Sequence, residues 1–362
     1  MTVSQTKTVP SGISRTVHLV GRHINFFARH NTPRKFVNLC RLYMQRWTNR
    51  TVLTAHPIEI IIDPTNICHL RCPLCPTGQR LNSRALGRMT FETFQRIIDE
   101  LAPWLYKIRL YSWGEPLLHN DLYRMIAYAT EENIGTEISS HLNVFEDTEA
   151  EELVESGLEL LVVSMDGADP ATYTRYRING DFAKACNNIA AVVKAKRKLG
   201  RKYPLVEIQF LVMKHNESQI HEMTLLARKL GVDNLRLAPV TINLRNEDDR
   251  QWLPTLEHLS RYSYAAKEDR IYARRRKCEW LWRSAVVNWD GTVSPCCVYE
   301  GKKSEVGSLE AKTFADVWNN DRYVQCRQVF TQKGRRKTEI QTICSICRGS
   351  PKALDEQQHG LY

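Results

Sequence analysis

Six stretches of this 362-residue chain are rich in apolar, β-branched side chains and have the length of strands. They run from Ile58 to Asp63, Lys107 to Trp113, Thr136 to Ser140, Leu158 to Met165, Leu205 to Met213 and Asn234 to Val240. Between them, apolar residues recur at helical spacing over Thr90 to Leu101, Asp121 to Glu131, Thr148 to Glu155, Phe182 to Lys198 and Glu217 to Leu230. Strands alternating with helices predict an α/β fold in which a parallel sheet is covered by those helices, curved into an open or partial barrel. On such a scaffold chemistry sits at the C-terminal ends of the strands, so the informative residues are those that follow each strand.

The pattern changes beyond residue 250. Residues 251–277 read as a helical linker, and AVVNWDGTVSPC reads as a hairpin turning at Asp290-Gly291, a pair suited to the positive φ angles of a type I′ turn. GSLEAKTFADVWNN then supplies a short helix. This predicts a small α+β domain over 278–350 and a tail over 351–362. At the other end, Val17, Val20, Ile24 and Phe27, then Val37, Leu42, Tyr43 and Trp47, recur at helix-like spacing, which predicts two short amphipathic helices within an extension spanning residues 1–56.

Charge sharpens the picture of that extension. It holds nine Lys or Arg and no Asp or Glu, against a net charge of +11 for the whole chain, so the remainder is nearly neutral. Such a segment is solvated, packs on the main domain, meets an anionic membrane surface or attracts a phosphorylated substrate. No nucleic-acid-binding signature accompanies it, and nucleic acid is not expected as a partner. The chain also has no apolar run long enough for a membrane span and no signal-peptide pattern, so a cytoplasmic location is expected, with peripheral contact at the inner membrane face through 1–56.

Eleven cysteines are many for such a compartment, and an odd number cannot pair completely within the chain. Metal ligation is the better explanation. Directly after the first strand, PTNICHLRCPLCPTG places Cys68, Cys72 and Cys75 in a C-x3-C-x2-C spacing with no fourth cysteine nearby. Three thiolates on one loop suit an iron–sulfur cube that leaves one iron open; a zinc site borrowing His69 or a distant ligand is the alternative. Near the C-terminus, Cys278, Cys296, Cys344 and Cys347 form a C-x12-G-x4-C and C-x2-C arrangement that suits either zinc or a fully ligated [4Fe-4S] cluster. Cys40, Cys186, Cys297 and Cys326 remain, each read as a small buried hydrophobe.

The three-cysteine loop at the end of a barrel strand resembles that of the radical S-adenosylmethionine (radical SAM) superfamily. Later strand ends carry further matches. After the second strand, Gly114, Glu115 and Pro116 resemble the family's GEP element, whose backbone engages the SAM amino group. After the third, Ser140 and Asn143, with Ser139 and His141 beside them, occupy the place near the SAM ribose; His141 alone reads as a local hydrogen-bonding partner. Ser164, Met165, Asp166 and Gly167, followed by Tyr173, Arg177 and Gly180, resemble the family's S-x-D-G…Y-x-x-x-R-x-x-G run. The resemblance implies that Ser164 and Arg177 hold the SAM carboxylate, a role suited to the two-pronged guanidinium. It also places Gln209 and Leu237 along the nucleoside pocket.

The second cysteine set, with its G-x-V-x-P-C-C element, resembles a short SPASM domain with one auxiliary [4Fe-4S] cluster. The implied architecture is a partial (β/α)6 TIM-like barrel over 57–250 followed by that domain. The implied activity is reductive cleavage of SAM to a 5′-deoxyadenosyl radical that abstracts hydrogen from a substrate, with electrons from a flavodoxin or ferredoxin. Cys297, beside the auxiliary site, is a candidate hydrogen-atom donor, and it stands where sulfatase-maturing relatives carry an Asp. The expected substrate is a small molecule of sugar, nucleoside or nucleotide-sugar type, phosphorylated or nucleotide-linked, undergoing oxidation, epimerisation or dehydration. A ribosomal peptide is the alternative. An iron–sulfur electron carrier without SAM turnover would leave the GEP element and the Ser164 to Arg177 run unexplained.

Overall fold

The computed structural model describes residues 27–243, 246–265, 270–273, 278–299, 301–331, 342–345 and 347. The tail at 351–362 and the expected helix through Val17, Val20 and Ile24 lie outside the described residues. Each expected strand is present: β1 (Glu59–Ile62), β2 (Lys107–Leu110), β3 (Gly135–Ser140), β4 (Leu160–Ser164), β5 (Leu205–Val212) and β6 (Asn234–Pro239). They pair in parallel in that order.

The covering helices follow from sequence pattern and capping. In α2 (Phe91–Leu101), following the N-terminal helix α1 (Pro33–Trp47), Thr90 caps the first turn by accepting from the Thr93 N–H, worth about 1 kcal/mol. Its Phe91, Phe94, Ile97, Ile98 and Leu101 are all buried, each contributing roughly 1.5–3 kcal/mol of burial. The helices α3 (Leu122–Glu131), α4 (Ala150–Glu155), α6 (Phe182–Lys198) and α7 (Ile220–Leu230) likewise bury an apolar face, α6 being capped by Asp181 through the Lys184 N–H, and a short α5 (Pro170–Tyr176) interrupts the β4–α6 connection. The strand residues turned toward these helices, among them Ile60, Ile62, Ile108, Leu110, Ile138, Leu161 and Val163, join them in one hydrophobic cluster.

The face turned inward is charged. Arg109 on β2 lies 3.0 Å from Glu59 on β1, and Lys107 lies 2.9 Å from Glu137 on β3, which also accepts from the Tyr111 hydroxyl at 2.7 Å. Across the barrel, Arg236 on β6 pairs with Glu207 on β5 and donates to Gln209. Burial alone would raise the Glu137 carboxyl, but Lys107 and Arg109 bring it down to about 2.

Two expectations are corrected in the C-terminal third. The 251–277 stretch is not a helical linker: after two short 3-10 turns, β7 (Tyr262–Ala265) pairs antiparallel with β8 (Arg270–Ala273). Tyr262 and Tyr264, one residue apart with Ser263 between them, carry a period of two that favours a strand. The turn at Asp290-Gly291 also differs. Here α8 (Trp280–Arg283) leads into β9 (Ser284–Val287), whose partner is β10 (Thr292–Ser294). Gly291 alone has positive φ, at 77°, and its N–H donates to the Asn288 carbonyl. A three-residue loop ending in left-handed glycine replaces the type I′ turn. The hairpin is not a separate layer either, because β9 pairs in parallel with β1 and extends the barrel sheet, while β11 (Gly307–Ser308) closes its far edge. Helices α9 (Phe314–Trp318) and α10 (Asp321–Gln328) pack behind it.

Candidate active site

The loop after β1 is clamped from several sides. Asp63, fully buried at the strand end, accepts from the Trp113 N–H at 3.3 Å, and burial lifts its carboxyl to about 7 against the pull of that contact and the Gly114 N–H. The Glu115 N–H donates to the Ile67 carbonyl at 2.8 Å, so the GEP backbone lies against the cysteine loop. Only glycine fits at 114, since a Cβ there would stand 1.9 Å from the Thr65 carbonyl oxygen. Cys72 is buried and Cys68 and Cys75 half-buried, and the Cys75 N–H donates to the Cys72 carbonyl at 3.1 Å, which turns the loop back on itself.

Burial pushes the Cys68 thiol up to about 12, with Glu115, Cys72 and Cys75 adding to the effect; Cys72 is raised by burial too, against the opposing pull of Arg177. Thiols so placed ionise when a metal supplies the compensating positive charge. Among the described residues no three Cys, His, Asp or Glu side chains close around a single ion. Three half-buried or buried cysteines on one loop, one of them facing the Arg177 guanidinium, are a donor set that fits an iron–sulfur cluster.

Around the loop stand two buried pairs, one hydrogen-bonded and one charged. Glu115 accepts from His141 Nε2 at 3.0 Å and from the His141 backbone N–H at 3.1 Å; burial works to raise its carboxyl, and His141 and Ser140 hold it below the ordinary value. His141 Nδ1 accepts from the Asn143 N–H, which assigns the Nε2-protonated ring, and Nε2 also lies 3.8 Å from Cys68 Sγ. His141 is therefore a hydrogen-bonding partner of the loop. In the second pair, Arg177 donates through Nε and Nη2 to Asp166 at 2.7 and 2.6 Å, leaving Nη1 directed at Cys72 Sγ, 3.6 Å away. Burial opposes the guanidinium charge, and Asp166 and then Cys72 more than offset it.

The remaining expected SAM contacts separate into two groups. Ser164 ends β4 with its hydroxyl 3.4 Å from that of Ser139, in register with Gln209, and Pro116 opens the turn after Glu115. Ser164 and Gln209 thus lie on the inward side of the sheet, and Pro116 is buried. Ser140 and Asn143 are buried and engaged by protein: Ser140 accepts from the Leu142 N–H, and the Asn143 amide is shared among the His141 carbonyl, Tyr173 and the Asp181 N–H. They brace the β3 loop. The Leu237 side chain turns away from the site. Arg236 points into the barrel, so the alternation of β6 turns the Leu237 side chain outward to the helix-covered cluster.

At the second cysteine set, Cys278, Cys296, Cys344 and Cys347 are electrostatic neighbours of one another. Burial raises the Cys296 thiol strongly, and a hydrogen bond to Cys326, together with burial, raises Cys344. Sequence reasoning left Cys326 as an isolated core residue. The structure brings it from α10 into hydrogen-bonding contact with Cys344, a juxtaposition for which no spacing motif gave a signal. Cys297 faces elsewhere: its charged neighbours are Arg109, Arg261 and Glu59, so it stands between the barrel interior and the second thiol set. Sequence reasoning also missed Asp166 and Glu115 as the carboxylate partners of Arg177 and His141.

A family model described as the Radical SAM superfamily matches residues 62–227, and one described as an iron–sulfur cluster-binding domain, SPASM, matches residues 278–348. The chain belongs to the radical SAM superfamily. The radical SAM segment thus runs from the end of β1 through the three-cysteine loop and past β5, and the SPASM segment spans the second thiol set. Iron–sulfur clusters and SAM are the cofactors of these domains. Curated relatives include the tungsten-containing aldehyde ferredoxin oxidoreductase cofactor-modifying protein of Pyrococcus furiosus, 24% identical over 80% of this chain and 86% of the relative. A PqqA peptide cyclase of Xanthomonas campestris is 24% identical over 73% of this chain and 74% of the relative. Among solved structures, Streptococcus suis SuiB bound to S-adenosylmethionine aligns over 94% of this chain and 85% of its own with a TM-score of 0.62, at 15% identity. The anSMEcpe structure with bound AdoMet covers 74% of this chain and 78% of its own, with a TM-score of 0.55. These likenesses show a shared fold. No helix among the described residues is long and apolar enough to cross a membrane.

Proposed function

We propose that this radical SAM enzyme cleaves SAM at the Cys68–Cys72–Cys75 loop and removes hydrogen from a peptide substrate held in the charged barrel interior. The observation that carries the first half is the meeting of the GEP backbone and Arg177 Nη1 on the three-cysteine loop. When bound, a cluster held by those three thiolates supplies the electron that breaks the sulfonium and yields a 5′-deoxyadenosyl radical.

The chain's own groups bind, orient and exclude water. Asp166 fixes Arg177 so that its remaining nitrogen stays beside the loop, where a guanidinium binds the carboxylate end of SAM. The GEP backbone takes the amino end, with Ser164 and Gln209 toward the nucleoside. Cys278, Cys296, Cys344 and Cys347 would hold an auxiliary cluster able to take the electron left on the substrate once hydrogen is removed, and Cys297, near Arg109, stands between that site and the barrel interior. Burial of Tyr173 and Tyr176 beside Arg177 keeps water from the reacting centre.

A peptide is favoured over the carbohydrate expected from the sequence because peptide cyclases recur among the relatives. The paired carboxylates and guanidiniums lining the barrel suit amide and side-chain groups as well as they suit sugars. Anaerobic reconstitution with iron and sulfide, followed by SAM and dithionite, is expected to release 5′-deoxyadenosine, and Cys72→Ala to abolish it. Incubation with short peptides encoded near this chain's gene is expected to remove hydrogen, read by mass spectrometry; turnover of nucleotide sugars with no peptide reaction would restore the carbohydrate reading.

A further inference from the structure

The α1 helix is packed the wrong way round for a soluble protein. Its inward face is polar. Lys35 Nζ donates to the Asn133 carbonyl at 2.7 Å, the Asn38 amide donates to the His56 carbonyl at 3.0 Å and accepts from the His56 N–H at 2.9 Å, and Gln45 Oε1 accepts from the N–H groups of Thr54 and Ala55. Leu42 is buried with them, and Leu39 packs partly buried at their edge. The outward face is apolar: Trp47 is 85% exposed, Met44 58%, Val37 54%, and Phe36 and Tyr43 53% each. At about 100° per residue these side chains, together with exposed Cys40, fill an arc of roughly 120° that holds no charge.

The helix is fixed in this orientation. Thr32 caps it through the Lys35 N–H, Arg34 stacks on Trp104 at 4.2 Å, and Arg46 bridges Glu279 at 2.8 Å while lying 4.4 Å over Trp282. A soluble helix turns its apolar stripe to the core. Here the core takes the polar stripe, and among the described residues nothing covers the apolar one.

We propose that this face of α1 docks the protein on an anionic lipid bilayer, the helix lying in the plane of the interface. Charge selects the occupant. The first 56 residues hold nine cations and no anion; Arg34 and Arg41 border the apolar arc, Arg46 lies beyond its other edge and Arg50 follows the helix end. Anionic headgroups answer that charge at about 1 kcal/mol per basic residue close to the surface. A second copy of this chain would bring like charges against these basic residues. The aromatic and thioether side chains of Phe36, Tyr43, Met44 and Trp47 are of the size and polarity that enter the boundary between headgroup and acyl chain. The contact is peripheral.

Vesicle flotation of the full chain tests this. At about 0.1 M salt, the protein is expected to bind vesicles containing phosphatidylglycerol about tenfold more strongly than vesicles of phosphatidylcholine alone. Phe36→Glu with Met44→Glu, both at exposed positions, is expected to lower binding at least about tenfold while the thermal midpoint and SAM cleavage are kept. Absence of flotation by the unaltered chain on phosphatidylglycerol vesicles overturns the proposal, as does equal flotation by the double variant. So does a dimer in sedimentation that the double variant dissociates without any vesicle binding, which would assign the face to a second copy.

Discussion

Gly114 and Arg177 do different work at the same loop. A Cβ at 114 meets backbone rather than a flexible side chain, so Gly114→Ala is expected to displace the cysteine loop at a cost of about 1–3 kcal/mol and to lower bound iron per chain after reconstitution. Arg177→Lys keeps the charge near Cys72 but loses the two-pronged contact with Asp166. Its expected signature is a KM for SAM raised about tenfold with iron content unchanged, read by steady-state kinetics beside iron analysis. At this scale the sequence was legible where spacing encodes chemistry: Cys68, Cys72, Cys75 and the GEP element could be named because each has a fixed local pattern. Asp166, Glu115 and Cys326 could not be paired with Arg177, His141 and Cys344, because those partners meet through tertiary packing and carry no local period.

Among the elements, strands and helices of the barrel were readable because β-branched runs and amphipathic spacing rarely conflict; α6 begins and ends where its pattern does. Misreadings arose where a few residues decide: the Asp290 loop has one positive φ rather than two. Leu237 was placed by position in a motif, and alternation turns its side chain outward. Gly291 has open space around its α-carbon, so Gly291→Ala is expected to cost about 1 kcal/mol from backbone strain alone, with no steric clash, measurable as a shift in the urea midpoint. The α1 helix shows the opposite limit. Its apolar period announced a helix, but period alone does not say which side the protein will use, and the hydrogen bonds of Lys35, Asn38 and Gln45 decided that.

For the molecule as a whole, the charged barrel interior couples stability to acid. Glu137 is buried and held at about 2 by Lys107 and Arg109, below an ordinary carboxylate near 4.3. A depressed carboxyl contributes stability that is fully present above its unfolded-state value and is lost as the pH falls through the folded-state value. About 3 kcal/mol is therefore expected to disappear between roughly pH 4.5 and pH 2. Glu137→Gln should flatten the dependence of unfolding free energy on pH across that window, in chemical denaturation at pH 7, 4 and 3. A variant as acid-sensitive as the parent would place the coupling elsewhere in the network.

The parallel pairing of β9 with β1 sets the two thiol sites on one mechanical platform. The strand that launches the three-cysteine loop is flanked by β2 on one side and by a strand from the C-terminal third on the other, so β1 is an interior strand only while that third remains attached. Severing the chain before Cys278 would bare a row of unsatisfied amide and carbonyl groups along β1, an adhesive edge that invites self-association. The distance between the sites is thereby set by hydrogen-bonded backbone rather than by a tether, which makes the pair behave as a rigid ruler for whatever spans them.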